Sequence, residues 1–200
     1  MEMIYKLDYY LFLGIHNKEG NPILDQLMSW ITYSANPPFI FLYLIVLSVI
    51  VGIIYHIKCI RFTPGNRFRS FKKVVQFMLY SSMIYGLSSG VTQVLKETTQ
   101  RPRPHEVHQV RLTAALKKTT DGEEKESFPS GHSAGAFMMA AIICRRFGKK
   151  MRFIYGWSVL VALSRIYIGA HYPSDVIVGG FLGWLIANLF ISKLPKLFQY

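Results

Sequence analysis

The sequence predicts an all-α integral membrane helical bundle, five to six transmembrane helices with an N-terminal interfacial helical region. Three observations carry that expectation. Of the 200 residues 51% are hydrophobic, and they gather into runs longer than an ordinary soluble domain uses. Two of these runs, Phe39–Ile57 and Val74–Leu95, contain no Lys, Arg, Asp or Glu, and each is long enough to cross a hydrocarbon core about 30 Å thick. The net charge of +12 is sorted along the chain: Lys58–Lys73 and Arg145–Arg152, with Lys193 and Lys196, carry cations and no acid. Every Asp and Glu lies in the N-terminal region, in the 97–128 loop or at Asp175. Cations confined to alternate loops signal topology and put the basic face in the cytoplasm, so the charge does not point to a nucleic-acid partner.

Residues 5–34 hold two stretches, Tyr5–Ile15 and Ile23–Tyr33, each apolar on one side and too short to span. They are placed at the interface, with a bent sixth span as the alternative. The opening Met-Glu-Met has no basic region ahead of an apolar stretch, so no cleaved signal is expected. Pro37-Pro38 begins the first span, in which His56 reads as an interfacial side chain. In the second span Gly86 and Gly90, four apart, predict a face for close helix approach.

That span ends at Lys96, and Gln100-Arg101-Pro102-Arg103-Pro104 follows. Both arginines precede a proline and are pushed to extended backbone, which holds their charges on a stiff segment. In the loop beyond, Val110–Leu116 has the spacing of a short amphipathic helix. Val110, Leu112 and Leu116 would dip into the headgroup layer, and Arg111, Lys117 and Lys118 would meet a large anionic headgroup. His105 and His108 lack further ligand-type neighbours, and no metal site is expected.

Three shorter apolar segments complete the bundle: Pro129–Cys144, Phe153–Ala170 and Val176–Ser192. The first starts in Phe128-Pro129-Ser130-Gly131-His132. A proline suited to a first helical turn, a hydroxyl and a glycine that bares its N–H make a helix N-terminus fit for an anion. The second carries Arg165, whose cost within a span requires a polar interior or a bound anion. His171 and Asp175 follow around the turn forced by Pro173, so that Asp175 can fix the His171 ring and leave its other nitrogen free as nucleophile or base. Gly179, Gly180 and Gly183 predict close packing in the third, and Asn188 a bond across helices. Cys59 and Cys144 fall at cytoplasmic helix ends, where no disulfide is expected.

Lys96 followed after six residues by Arg103-Pro104, then Pro129-Ser130-Gly131-His132, then Ser164-Arg165 followed after five residues by His171 and after three more by Asp175, resemble the three motifs of the membrane-bound type 2 phosphatidic acid phosphatases, a superfamily of lipid phosphate phosphatases. The resemblance implies that His171 attacks phosphorus to give a phosphohistidine, that Asp175 orients it, and that His132 protonates the leaving oxygen. Lys96, Arg103, Ser130, Gly131 and Arg165 would bind the phosphate, without a metal or any other cofactor, and Arg101 would be an auxiliary contact. It also implies one membrane-embedded domain over residues 1–200, with 1–35 interfacial and 36–200 the catalytic core. A bacterial envelope enzyme is expected, in the cytoplasmic (inner) membrane with its site facing the periplasm or outside. Its substrate would be a lipid A phosphate, undecaprenyl diphosphate or phosphatidylglycerol phosphate. A lipid-to-lipid phosphotransferase is the alternative, and a non-catalytic lipid-binding protein a remoter one. No oligomeric state is implied.

Overall fold

The computed structural model describes residues 2–16, 19–62, 67–108, 110–111 and 126–192. In chain order the helices are α1 (Glu2–Ile15), α2 (Pro22–Tyr33), α3 (Pro37–Phe62), α4 (Arg67–Thr99), the short α5 (Pro104–Val107), α6 (Gly131–Phe147), a 3₁₀ turn (Lys149–Phe153), α7 (Ile154–Tyr167) and α8 (Pro173–Ser192). Among the described residues extended pairing is limited to a single bridge between Pro102 and Glu126. The all-helical expectation therefore stands.

Local chemistry sets the helix ends. Asn21 caps α2 through its side-chain oxygen, which accepts from the N–H groups of Ile23 and Leu24, and Pro22 fills the first turn. α4 stops at Thr99 because Gln100 turns left-handed, with φ 46°, just before the proline pairs. α7 closes in a Schellman turn: Gly169 has φ 86°, its N–H reaches the Ile166 carbonyl, and the Ala170 N–H reaches the Arg165 carbonyl.

α6 is the central helix, buried from Ser133 to Ala136 and from Met138 to Ile142. Around it one apolar core is shared by Ile40, Leu44 and Val51 of α3, Phe77 and Ile84 of α4, and Ile186, Ala187 and Ile191 of α8. The backbones of α6 and α8 touch. A Cβ on Gly179 or Gly183 would collide with the carbonyl oxygens of Ser130 and Ala134 respectively, as the glycine pattern of the last span predicts. Gly86 and Gly90 do not behave this way: a Cβ at either meets nothing within 4 Å. Both are exposed on α4, and Gly90 lines a cavity.

α1 and α2, 14 and 12 residues long, are too short to span, as expected. Both are tied to α7, through a bond of 2.8 Å between the Thr32 and Ser164 hydroxyls and another of 2.8 Å from His16 Nδ1 to the Tyr167 carbonyl. α1 also packs on α8. Val110 and Arg111 are not helical, and Val110 packs near Phe12 and Tyr172. The rest of the expected loop helix, with Leu112, Leu116, Lys117 and Lys118, lies outside the described residues. Arg111 does not await a headgroup: its Nη2 lies 2.6 and 2.7 Å from the two Asp25 carboxylate oxygens, because this loop docks on α2.

By length and apolarity alone two helices among the described residues qualify as spans, over Pro37–Ile54 and Pro173–Ser192. α6 and α7, with 17 and 14 residues, fall short, so the five to six spans of the sequence reading are not matched by this criterion. α4 is long enough at 33 residues, but Gln76, Ser81, Ser88 and Thr92 dilute its apolar run.

Candidate active site

Four helix ends and two connecting segments meet at one end of the bundle. Lys96 closes α4, Arg103 stands before α5, Gly131 and His132 open α6, Arg165 ends α7, and His171 follows the α7 turn. All six line a single cavity of about 910 Å³. The turn after α7 creates the juxtaposition of Arg165 and His171, since the N–H groups of both Ala170 and His171 return to the Arg165 carbonyl. Away from the cations the same cavity is walled by Ile40, Phe41 and Tyr85, between α3 and α4. Lys96, Arg103, Arg165 and His171 are nearly inaccessible to solvent, at 1–4% exposure. Charges so buried are unstable unless an anion or hydrogen-bonding groups meet them.

Part of that need is met by one peptide group. The Glu126 carbonyl accepts from Lys96 Nζ at 3.2 Å and from Arg103 Nε at 3.4 Å. Ser130, also predicted to bind phosphate, is fully buried as the N-cap of α6. Its oxygen accepts from the Ser133 N–H and from the Ser133 hydroxyl, so it is engaged with its own helix. Gly131 is exposed to the cavity.

The expected carboxylate partner of His171 is placed differently. Asp175 Oδ2 lies 3.8 Å from His171 Nδ1, beyond hydrogen-bond range. Instead Nδ1 bonds the Ser127 backbone carbonyl at 2.7 Å. A carbonyl can only accept, so Nδ1 carries the hydrogen and Nε2 keeps its lone pair. Asp175 sits behind the ring in the first turn of α8. There it accepts from the Tyr172 N–H at 2.8 Å, closing its own helix start, and from the Ser127 hydroxyl at 2.5 Å. The link from carboxylate to ring thus runs through Ser127.

Arg101 is not a phosphate contact. Its two terminal nitrogens bridge Asp175, at 2.6 Å, and Asp8 of α1, at 2.7 Å, and its plane lies 4.1 Å from the centre of the Tyr172 ring. Asn36, ahead of α3, lines the cavity and bonds His132 Nε2 through its Oδ1 at 2.7 Å. An amide oxygen accepts, so Nε2 of His132 carries a hydrogen that points into the cavity. Sequence reasoning missed Asp8, Asn36 and Ser127. Asp8 and Asn36 are distant in the chain from the groups they serve, and Ser127 acts partly through its backbone.

In the turn between α7 and α8, burial, then the nearby Arg165, Arg103 and Lys96, push the His171 pKa well below its ordinary 6.5, so the ring is neutral near pH 7. Burial pulls the Arg101 pKa down, but Asp175 and Asp8 outweigh it and leave Arg101 above the usual arginine value. Among the described residues no three His, Cys, Asp or Glu side chains are grouped to hold a metal ion. The site is one uncharged imidazole, a second imidazole that presents a hydrogen, and three cations. That combination can attack, protonate and hold a phosphoryl group.

A family model described as the PAP2 superfamily matches residues 77–199. A lipid A 1-phosphatase of Rhizobium etli is 34% identical over 127 residues, which are 60% of this chain and 52% of that protein, so the chain spans about half the length of this relative. Two solved structures are similar over nearly the whole chain. LpxE of Aquifex aeolicus has a TM-score of 0.67 at 23% identity, covering 93% of this chain and 95% of its own. A transmembrane PAP2-type phosphatidylglycerolphosphate phosphatase from Bacillus subtilis has a TM-score of 0.68 at 24% identity, covering 98% and 88%. These likenesses establish the fold.

Proposed function

The chain belongs to the PAP2 superfamily, and from that premise we propose that it is a lipid phosphatase that removes a phosphate from a membrane lipid phosphate or diphosphate. The observation that carries this reading is the cavity itself. Six motif residues surround its polar end, while Ile40, Phe41 and Tyr85 offer apolar surface to a lipid at the other. The names of the similar proteins, a lipid A phosphatase and a phosphatidylglycerolphosphate phosphatase, point to the same substrate class.

In this mechanism Lys96, Arg103, Arg165 and the Gly131 N–H hold the non-bridging oxygens. The His171 Nε2 lone pair forms a bond to phosphorus as the phosphorus–oxygen bond to the lipid breaks. His132, carried as the imidazolium once the phosphate's negative charge is bound beside it, gives its Nε2 hydrogen to the departing oxygen, which takes the place of Asn36 Oδ1, and is left neutral. Water then attacks phosphorus, the nitrogen–phosphorus bond breaks, orthophosphate leaves, and the water's proton returns to His132. The Ser127 carbonyl keeps His171 in the required tautomer, and Asp175 holds Ser127 in place. Positioning and charge stabilisation supply most of the rate in phosphoryl transfer.

The same reading makes residues 1–200 one membrane-embedded unit with five to six spans. Its support is an outward apolar belt in which Leu42, Ile45, Val49 and Ile53 of α3, Leu79 and Met83 of α4, and Ile177, Phe181 and Leu189 of α8 are exposed. The cation-rich loops support a site on the outer face of the cytoplasmic membrane. A membrane-impermeant thiol reagent on intact cells should label a cysteine introduced at Thr120 and miss Cys59 and Cys144; the reverse pattern would move the site inside.

The deciding experiment is phosphate release by purified protein in detergent from a panel of a lipid A phosphate, an isoprenyl diphosphate and phosphatidylglycerol phosphate, with EDTA present. Release from at least one, inhibited by vanadate, is the expected result. No release from any, or none in EDTA, would overturn the proposal.

A further inference from the structure

Asp8 belongs to the N-terminal helix, outside the three motifs, yet it is buried at 5% exposure and directed at the site. Its Oδ1 accepts from the Ser174 N–H at 2.9 Å, and its Oδ2 from the Ser174 hydroxyl at 2.5 Å and Arg101 Nη2 at 2.7 Å. The carboxylate therefore caps the start of α8 from another part of the chain and takes one side of the Arg101 fork. The other side of the fork holds Asp175 Oδ1 at 2.6 Å and Ser174 Oγ at 2.7 Å. Arg101 is gripped between the Tyr172 ring, 4.1 Å away, and the Tyr5 ring of α1, 5.3 Å away. A bidentate guanidinium between two buried carboxylates fixes both in direction, which a lone lysine or a surface pair does not do.

We propose that Asp8 and Arg101 are positioning residues for the phosphatase reaction, which lock the Asp175–Ser127–His171 chain so that His171 Nε2 faces the bound phosphorus. The inference rests on the reading of the site as a lipid phosphatase. It assigns α1 a part in the chemistry: the helix supplies the carboxylate that completes the support behind the nucleophile. Neither residue lines the cavity that holds Lys96, Arg103 and Arg165. Loss of either should lower the rate of attack and leave phosphate binding alone.

Turnover of a short-chain lipid phosphate in detergent by Asp8→Asn, Asp8→Glu and Arg101→Lys tests this, with KM, inhibition by orthophosphate and phosphoenzyme formation measured on the folded fraction. Asp8→Asn should lower kcat and phosphoenzyme formation roughly 10- to 100-fold, the range seen when a supporting shell is removed. KM and competitive inhibition by orthophosphate should stay unchanged. Asp8→Glu should restore part of the loss, and Asp8→Asn added to Arg101→Lys should cost little more, because both act through one link. If Asp8→Asn does not fold, Arg101→Lys must show the same selective loss of kcat. Unchanged kcat, a parallel loss of orthophosphate binding, or full additivity of the two substitutions would each overturn the inference. Failure of the wild type on every lipid would instead overturn the phosphatase reading.

Discussion

His171 is held by Ser127 through the peptide group, its Nδ1 donating to the Ser127 carbonyl oxygen at 2.7 Å while Asp175 stands 3.8 Å off. A backbone carbonyl survives side-chain substitution. Asp175→Asn therefore leaves the tautomer of His171 in place and should retain turnover, reduced roughly 10- to 100-fold. His171→Ala should abolish it, since the Nε2 lone pair that attacks phosphorus is lost with the ring. Rapid acid quench of labelled substrate should trap an acid-labile phosphoenzyme in the wild type and in Asp175→Asn, and none in His171→Ala. Full activity in His171→Ala would falsify the scheme.

His132 presents its Nε2 hydrogen to Asn36 Oδ1, the place assigned to the departing oxygen. His132→Ala should therefore lower turnover of an alkyl phosphate by about 10²–10⁴. With p-nitrophenyl phosphate the loss should be much smaller, because that leaving group departs without a proton. Equal losses on both substrates would show that His132 binds phosphate and does not act as an acid.

Burial, and then Arg165, Arg103 and Lys96, lower the His171 pKa well below 6.5. Protonated His171 cannot attack, so activity is lost as pH falls through the folded-state pKa. The acid limb of kcat/KM, which reports the free enzyme, should lie below pH 6.5. Arg103→Gln removes one of the depressing charges and should move that limb upward. An acid limb above pH 6.5 in the wild type would contradict this account.

A methyl group at Gly183 would strike the Ala134 carbonyl of α6, where no flexible side chain can yield. Gly183→Ala should cost about 1–3 kcal/mol, seen as a lower Tm in detergent. Gly86→Ala meets open space on a helix and should be neutral or stabilising, by up to about 0.5–1 kcal/mol. Equal Tm shifts for the two would mean that the α6–α8 contact is looser than described.

Much of the site could be read from the chain because its residues sit at fixed offsets from structural punctuation. Pro102 and Pro104 aim the arginines, Gly131 opens a helix, and the turn at Gly169 returns His171 to Arg165. The partner of His171 could not be read in this way. Asp175 is four residues from the ring, yet its position in the first turn of α8 turns its carboxylate to the Tyr172 N–H and Ser127. The carbonyl that takes its place belongs to the backbone and has no sequence signature. Arg101 shares the Arg-Pro pattern of Arg103 and so reads as a phosphate contact; its bonds to Asp8, 93 positions away, and to Asp175 show otherwise. Gly86 and Gly90 have the same spacing as Gly179 and Gly183, but spacing says nothing of whether a neighbour arrives.

Among the described residues the charged side chains lining the cavity are Lys96, Arg103 and Arg165, with no carboxylate among them. A lining of that kind does not distinguish the phosphate still attached to a lipid from the phosphate just cut free. On the proposed function, orthophosphate would leave against the same attraction that drew the lipid in, with the Glu126 carbonyl as the group that bonds Lys96 and Arg103 in its place. Product departure would then set the pace once the chemistry is fast, and ambient phosphate would act as a competitive brake.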